Sequence, residues 1–243
     1  MKRPTLILTT AFGEGHNAAA RNLATALKAA DPERPVEVRD LFAEAYGPIY
    51  SLAQKAYFLV INHFPGLWGA FYKHLDTDKK APGRVAIYKR AARLLAKTFS
   101  EKNPAVIAST YPGYNHLLDH LHGTVDRPFR TVTVVTDSIT INSLWYSGHS
   151  DLFLVPNEVT SEVMQGAGVP ADKLRVTGFP VPEIFGMLRG KRPLPGEGHT
   201  PKVLYLANPG QKNAVKILKN PIPANSLFAS SRPCIAPLPK LRA

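Results

Sequence analysis

Thr5-Leu6-Ile7-Leu8-Thr9-Thr10, followed by Gly13-Glu14-Gly15-His16-Asn17 and then by residues 18–30, reads as strand, glycine loop and helix. The first six residues are β-prone. The helix segment is rich in strong helix formers and carries Leu23 and Leu27 four residues apart. Further short apolar runs at 36–38, 105–108, 132–135 and 152–155 predict more strands, with helical stretches between most of them. Their apolar positions are continuous rather than alternating, as expected of a parallel sheet covered by helices on both faces. The predicted fold class is therefore α/β and Rossmann-like. Ligands of such sheets sit beyond the carboxyl ends of the strands, so the loops after the strands are where chemistry is expected.

Composition narrows the function classes. The 243 residues are 44% apolar, enough for a proper core, and hold one cysteine, Cys234, which excludes an internal disulfide framework and any thiolate metal cluster. No apolar run approaches the roughly 20 residues of a spanning helix. The run after Met1-Lys2-Arg3 is too brief for a signal peptide, so a cytoplasmic location is expected. A formal charge of +12 implies an anionic partner. RNA-type aromatic signatures, a helix-turn-helix pattern and zinc-finger spacings are lacking, so a nucleic-acid partner is not expected. An acidic lipid surface or a phosphorylated substrate remains.

Residues 41–102 form an insertion longer than a crossover helix requires. Its first part is dense in aromatics, including Tyr46, Tyr50, Tyr57, Phe58, Phe64, Trp68, Phe71 and Tyr72. Its last part places Val85, Tyr88, Ala92, Leu95 and Phe99 on one helical stripe and Arg90, Arg93 and Lys97 on another, a basic amphipathic helix. Trp68 with Arg90, Arg93 and Lys97 are the candidate contacts to an anionic membrane. Beyond a first domain at 1–187, residues 188–201 read as a Gly- and Pro-rich linker. A strand at 202–206 and a helix at 211–220 would open a second α/β domain, which normally needs well over 100 residues and is expected to be truncated here. The segment 221–243 has closely spaced prolines and no acidic residue, and is expected to be disordered.

The loop at Gly13-Glu14-Gly15-His16-Asn17 departs from a dinucleotide fingerprint. Ala18 occupies the third glycine position, and the Glu14 carboxylate would repel a pyrophosphate. A neutral hydroxylic ligand fits better, with helix N-terminal N–H groups beside it and His16 to accept its proton. The other reading is a tight turn with an exposed histidine. Two later loops meet the same rim. Thr110-Tyr111-Pro112-Gly113-Tyr114-Asn115-His116 follows the third strand, and Thr136-Asp137-Ser138-Ile139-Thr140 follows the fourth, with Asn142, Trp145 and Tyr146 beyond. The candidate catalytic residues are His16 and Asp137. Asp137 would orient His16 or bind the acceptor, unless it serves only as a cap or turn former. Gly13, Gly15, Asn17, Tyr111, Pro112, Asn115, Trp145 and Tyr146 are the candidate substrate contacts. No metal site and no cofactor is expected.

Ala171-Asp172-Lys173-Leu174-Arg175-Val176-Thr177-Gly178-Phe179-Pro180-Val181 is, on physics alone, a short strand and a Gly/Pro turn. Together with Val155-Pro156-Asn157-Glu158-Val159 and the helix end Gly166-Ala167-Gly168, it resembles the close of the N-terminal domain of the diacylglycerol glycosyltransferases. These are the monogalactosyldiacylglycerol (MGDG) synthases of plants and the processive glucosyltransferases of bacteria, related to the enzyme that adds N-acetylglucosamine to lipid II. The resemblance runs from Leu6 to about Val181. It includes Gly15-His16-Asn17-Ala18-Ala19, the Tyr111-Pro112 loop, Val134-Val135-Thr136-Asp137 and Trp145. It implies the N-terminal half of a GT-B fold, with the lipid acceptor on this domain and a UDP-sugar donor on a second one. It also implies inverting, metal-independent transfer to diacylglycerol by an enzyme peripheral to the inner face of the plasma membrane. Carried over, His16 is the base or an acceptor contact, and Asp137 and Trp145 line the acceptor cleft. Two departures are Glu14, where the family often has glycine, and Pro182, where it often has arginine or another polar residue. The alternative is a non-catalytic lipid-binding chain or a truncated orphan fragment.

Overall fold

A computed structural model describes residues 2–11, 14–64, 66, 67, 69, 88–138, 141–188, 204–207 and 227–230. Both layers of the fold can be traced from β1 (Thr5–Leu8). Leu6 and Leu8 join a buried cluster with Leu41 and Phe42 of α2 (Leu41–Tyr46), Leu95 of α4 (Tyr88–Lys102), and Tyr114 and Leu118 of α5 (Gly113–His122). Ile7 packs instead with Ala20 and Ala24 of α1 (Glu14–Ala30) and with Ala108. A strand covered on both sides must be apolar at consecutive positions, which is why the run carries no alternation.

Around β1 the chain builds a six-stranded, wholly parallel sheet in the order β2-β1-β3-β4-β5-β6. The partners are β2 (Val36–Arg39), β3 (Val106–Ser109), β4 (Arg130–Val134), β5 (Leu152–Val155) and β6 (Leu174–Val176). With helices around it, this is an α/β Rossmann-like fold. The expected strands lie within two residues of their places. Thr5 is in register with Val36 on one side and Val106 on the other. Strand order therefore reverses between β1 and β3, and the connections leaving their carboxyl ends diverge and open a crevice there. At the far end of the sheet, Trp145 of α6 (Leu144–Ser147) and Met164 of α7 (Glu158–Gly166) close a further cluster with Phe153, Val155 and Leu174. The unit ends with α8 (Glu183–Met187).

Three expectations need correction. Helix α1 already begins at Glu14, so Gly15, His16 and Asn17 occupy its first turn rather than a loop. An acid in the first turn favours that start. Gly13 lies outside the described residues. Second, the apolar stripe of α4 is not free for a membrane: Ala92 and Leu95 are core, and Tyr88 and Phe99 pack against it. Arg90, Arg93 and Lys97 do face solvent, while Trp68, Phe71, Tyr72 and Val85 lie outside the described residues. Third, the aromatic segment forms α3 (Pro48–His63), with Pro48 at its start where its missing N–H costs nothing. Its aromatics are divided, with Tyr50 buried, Tyr57 half-buried and Phe58 exposed, and its aliphatic Ile49, Leu52 and Leu59 stand 61%, 68% and 56% exposed. No described helix is long and apolar enough to cross a membrane.

The chain separates into two units, Met1–Met187 and Leu188–Ala243. In the second, β7 (Leu204–Ala207) pairs in parallel with β8 (Leu227–Ser230). Strand β8 corrects the expectation of a wholly unstructured tail. Four residues suffice to pair, and proline spacing says nothing against them because Leu227–Ser230 contains none. The helix expected at 211–220 lies outside the described residues.

Candidate functional site

His16 projects from the first turn of α1 into the crevice between β1 and β3 and bridges to the end of β4. Its Nδ1 lies 2.7 Å from the hydroxyl of Thr136, and its main-chain carbonyl accepts a hydrogen bond from Thr110 Oγ1 at 3.1 Å. Two neighbouring strand ends, those of β3 and β4, thus hold one histidine. Tyr111 packs edge-on against the ring with centroids 5.5 Å apart, and Trp145 packs at 6.0 Å. Burial lowers the His16 pKa; the Asp137 carboxylate and a hydrogen bond to the Thr110 main chain offset part of this. Its place at a helix N-terminus also disfavours the charged ring. A neutral imidazole has one nitrogen free to accept a proton, and that is the state this environment selects.

Asp137 does not orient His16 through a hydrogen bond. Its Oδ2 accepts the indole N–H of Trp145 at 2.8 Å, so it acts on the histidine through its field alone. Thr136, to which the sequence assigns no role, makes the direct contact. The two residues are 120 positions apart, and nothing local in the sequence pairs them. Trp145 is buried to 1% exposure, which makes it the rear wall of the histidine rather than an open ligand contact.

The remaining candidates divide between the rim and the interior. Tyr111 and Pro112 stay at the rim, half-buried, at the start of α5. Gly15 is exposed, and a Cβ there would meet open space. Asn17 turns back to β1, its Oδ1 accepting from Thr9 Oγ1 at 3.0 Å. Asn115 is not a substrate contact in this arrangement: it is buried and donates to Thr133 Oγ1 at 2.6 Å, which in turn donates to Ser150. Tyr146 also leaves the site. It lines a separate hollow with Ser150, Gly168 and Val169, residues that lead into β5 and β6 at the opposite edge of the sheet. Among the described residues no group of three histidines, cysteines or acids could hold a metal ion.

Helix α3 supplies a wall that the aromatic count concealed. Tyr50, Gln54 and Tyr57 recur at spacings of four and three, one helical face, and turn toward the site. Tyr50 Oη lies 2.5 Å from Thr10 Oγ1, accepts from the Ala11 N–H at 2.8 Å and donates to Asp40 Oδ2 at 3.0 Å. Burial first, with the Asp40 charge, pushes its phenol up to about 12, so it remains protonated. Gln54 donates to the Ala11 carbonyl. Burial raises the pKa of the Tyr57 phenol, and the Asp137 carboxylate raises it further.

This geometry sits inside a stretch that matches a known family. The sequence profile of the monogalactosyldiacylglycerol (MGDG) synthases matches residues 16–181, from the histidine through the turn after β6. The chain belongs to the MGDG synthase family. Curated relatives are also similar to it. The processive diacylglycerol β-glucosyltransferase of Staphylococcus saprophyticus is 26% identical over 182 residues, 74% of this chain and 45% of the relative. The enzyme of the same name from Bacillus cytotoxicus is 29% identical over 188 residues, 76% and 47% of the two chains. This member of the MGDG synthase family thus spans just under half the length of those relatives.

Proposed function

We infer that this chain carries the acceptor side of a glycosyltransferase that moves a hexose from a UDP-sugar to the free hydroxyl of diacylglycerol, with inversion and without a metal. The observation that carries the reading is His16, held neutral at the strand-order reversal of a sheet whose sequence belongs to the MGDG synthase family. In the step proposed, the diacylglycerol oxygen attacks the anomeric carbon of the sugar. The hydroxyl proton passes to His16, the bond from that carbon to the UDP oxygen breaks, and UDP leaves with the bonding pair. In the tautomer that donates Nδ1–H to Thr136, the lone pair of Nε2 takes the proton. The relatives are named for glucose transfer to diacylglycerol, which supports the acceptor and the reaction class. The exposed apolar side of α3 and the solvent-facing Arg90, Arg93 and Lys97 support work at an anionic membrane surface, consistent with a peripheral place on the inner face.

The test joins this chain to the donor-binding half of a curated relative and measures sugar transfer to diacylglycerol in mixed micelles. Transfer is expected from UDP-glucose or UDP-galactose. His16→Ala is expected to lower turnover by roughly 10²- to 10⁴-fold, the range a general base supplies. Turnover within a few-fold of the parent would remove His16 from the mechanism.

A further inference from the structure

Beside His16, on the other side of Tyr111, lies a hollow of about 160 Å3 whose walls are mainly apolar. Five rings build it, those of Phe42, Tyr46, Tyr50, Tyr88 and Tyr111, and the exposed Ile49 and Ala53 of α3 complete its lining. The rings are mutually fixed: Phe42 meets Tyr88 edge-on at 5.6 Å and Tyr111 at 6.1 Å, and leans on Tyr114 at 5.0 Å. The space is therefore built into the core packing rather than left by a loose loop. Tyr111 serves both sites, since its ring also packs on His16.

One polar atom in the lining is unexplained. The Tyr46 hydroxyl is buried and has no hydrogen-bond partner among the described residues. Buried hydroxyls are nearly always satisfied, because leaving one unpaired is costly. Tyr50, the neighbouring phenol, is satisfied three times over. A ligand that presents an acceptor oxygen next to an alkyl chain would satisfy Tyr46 and fill the apolar walls together. An acyl ester has that form. Ile49 and Ala53 are exposed, as are Leu52 and Leu59 of the same helix, so an alkyl chain entering past them meets apolar side chains.

We propose that this hollow is an acyl subsite, in which Tyr46 Oη donates to an ester carbonyl of the lipid and the rings of Phe42, Tyr88 and Tyr111 enclose the first methylenes of the chain. The assignment rests on the acceptor reading above and adds to it how the lipid is gripped beside His16. It also makes the ester itself a recognised group, so that an acylglycerol is distinguished from an alkyl ether of equal length.

The experiment titrates the full chain with dioctanoylglycerol, with the dioctyl diether that lacks carbonyls, and with octanoate, following binding by calorimetry without any sugar nucleotide. Dioctanoylglycerol is expected to bind more tightly than the diether. Tyr46→Phe, which keeps the ring, is expected to weaken the diester by about two- to tenfold, the worth of one hydrogen bond, and to leave the diether unchanged. Ala53→Phe, a change at an exposed helix position that plugs the mouth, is expected to abolish binding of both. Binding of neither glycerolipid, equal effects of Tyr46→Phe on both, or undiminished binding to Ala53→Phe overturns the subsite. Octanoate binding as tightly as the diester overturns the ester assignment in favour of a free-acid site. Because no sugar moves in this assay, the two readings fail separately. Ester-selective binding without transfer in the joined enzyme defeats only the reaction, and transfer with binding indifferent to Tyr46 and Ala53 defeats only the subsite.

Discussion

His16 is a histidine made useful by what surrounds it rather than by its own chemistry. Its first prediction is titration below the usual 6.5 in nitrogen-resolved NMR of the chain, since burial is the leading influence on it. The ring is expected to carry its proton on Nδ1, with Nε2 bare. A titration at or above 6.5, or the opposite tautomer, removes the basis for proton transfer at Nε2. Thr136 gives a second prediction as the positioning residue. Thr136→Val, close to the same shape without the hydroxyl, is expected to lower kcat of the joined enzyme by about tenfold, less than His16→Ala, with KM for the acceptor little changed. Thr136→Ser, which restores the hydroxyl, is expected to recover most of the loss. A valine variant with unaltered kcat would reduce the 2.7 Å contact to packing.

Helix α3 carries two kinds of surface at once. Tyr50, Gln54 and Tyr57 turn to the site, and Ile49, Leu52 and Leu59 turn to solvent, an arrangement suited to a helix lying against lipid while touching the bound acceptor. Leu52→Asp with Leu59→Asp is expected to lower partitioning of the chain into acidic vesicles at least tenfold at any salt concentration, since each leucine side chain buried in lipid is worth about 1.5–3 kcal/mol. Replacing Arg90, Arg93 and Lys97 by glutamine should remove only the salt-sensitive part of binding. Partitioning unchanged by the leucine pair would show that α3 stays clear of the bilayer. The same helix marks where sequence reasoning stops. The strands were legible because a parallel sheet writes unbroken apolar runs into the chain. The amphipathic pattern of α4 was legible too, but not its partner, since a protein core and a membrane ask for the same stripe. Asn115 illustrates the matching problem in the site: its place after β3 suggested the rim, and only the neighbouring Thr133 and Ser150 reveal that it faces inward. Spacing could have exposed Tyr50, Gln54 and Tyr57, whereas the meeting of His16 and Thr136 is made by tertiary structure alone.

Across the first unit, four histidines share one electrostatic fate. Burial is the leading cause that lowers the pKa of His16, His116, His122 and His149, with Lys173 and Arg127 adding to it at His149 and Arg127 at His122. Each binds a proton more readily in the unfolded chain. Just below the usual 6.5 the unfolded state therefore holds more protons, and stability must fall as pH falls through that window, above the range of ordinary carboxylates. The melting temperature is expected to decline steadily from pH 7 to pH 5. A flat or rising profile would mean that these rings are hydrated in the folded state. The placement of β1 between β2 and β3 has a further consequence, which belongs to time rather than to energy. The ribosome delivers β1 and β2 almost together, but Val106, the partner of Thr5 on the other edge, follows about a hundred residues later. At about 5–20 residues per second, β1 waits roughly 5–20 s with one edge bare. Through that interval the nascent chain displays an apolar strand ready to pair with a stranger, and chaperone cover during synthesis matters most there.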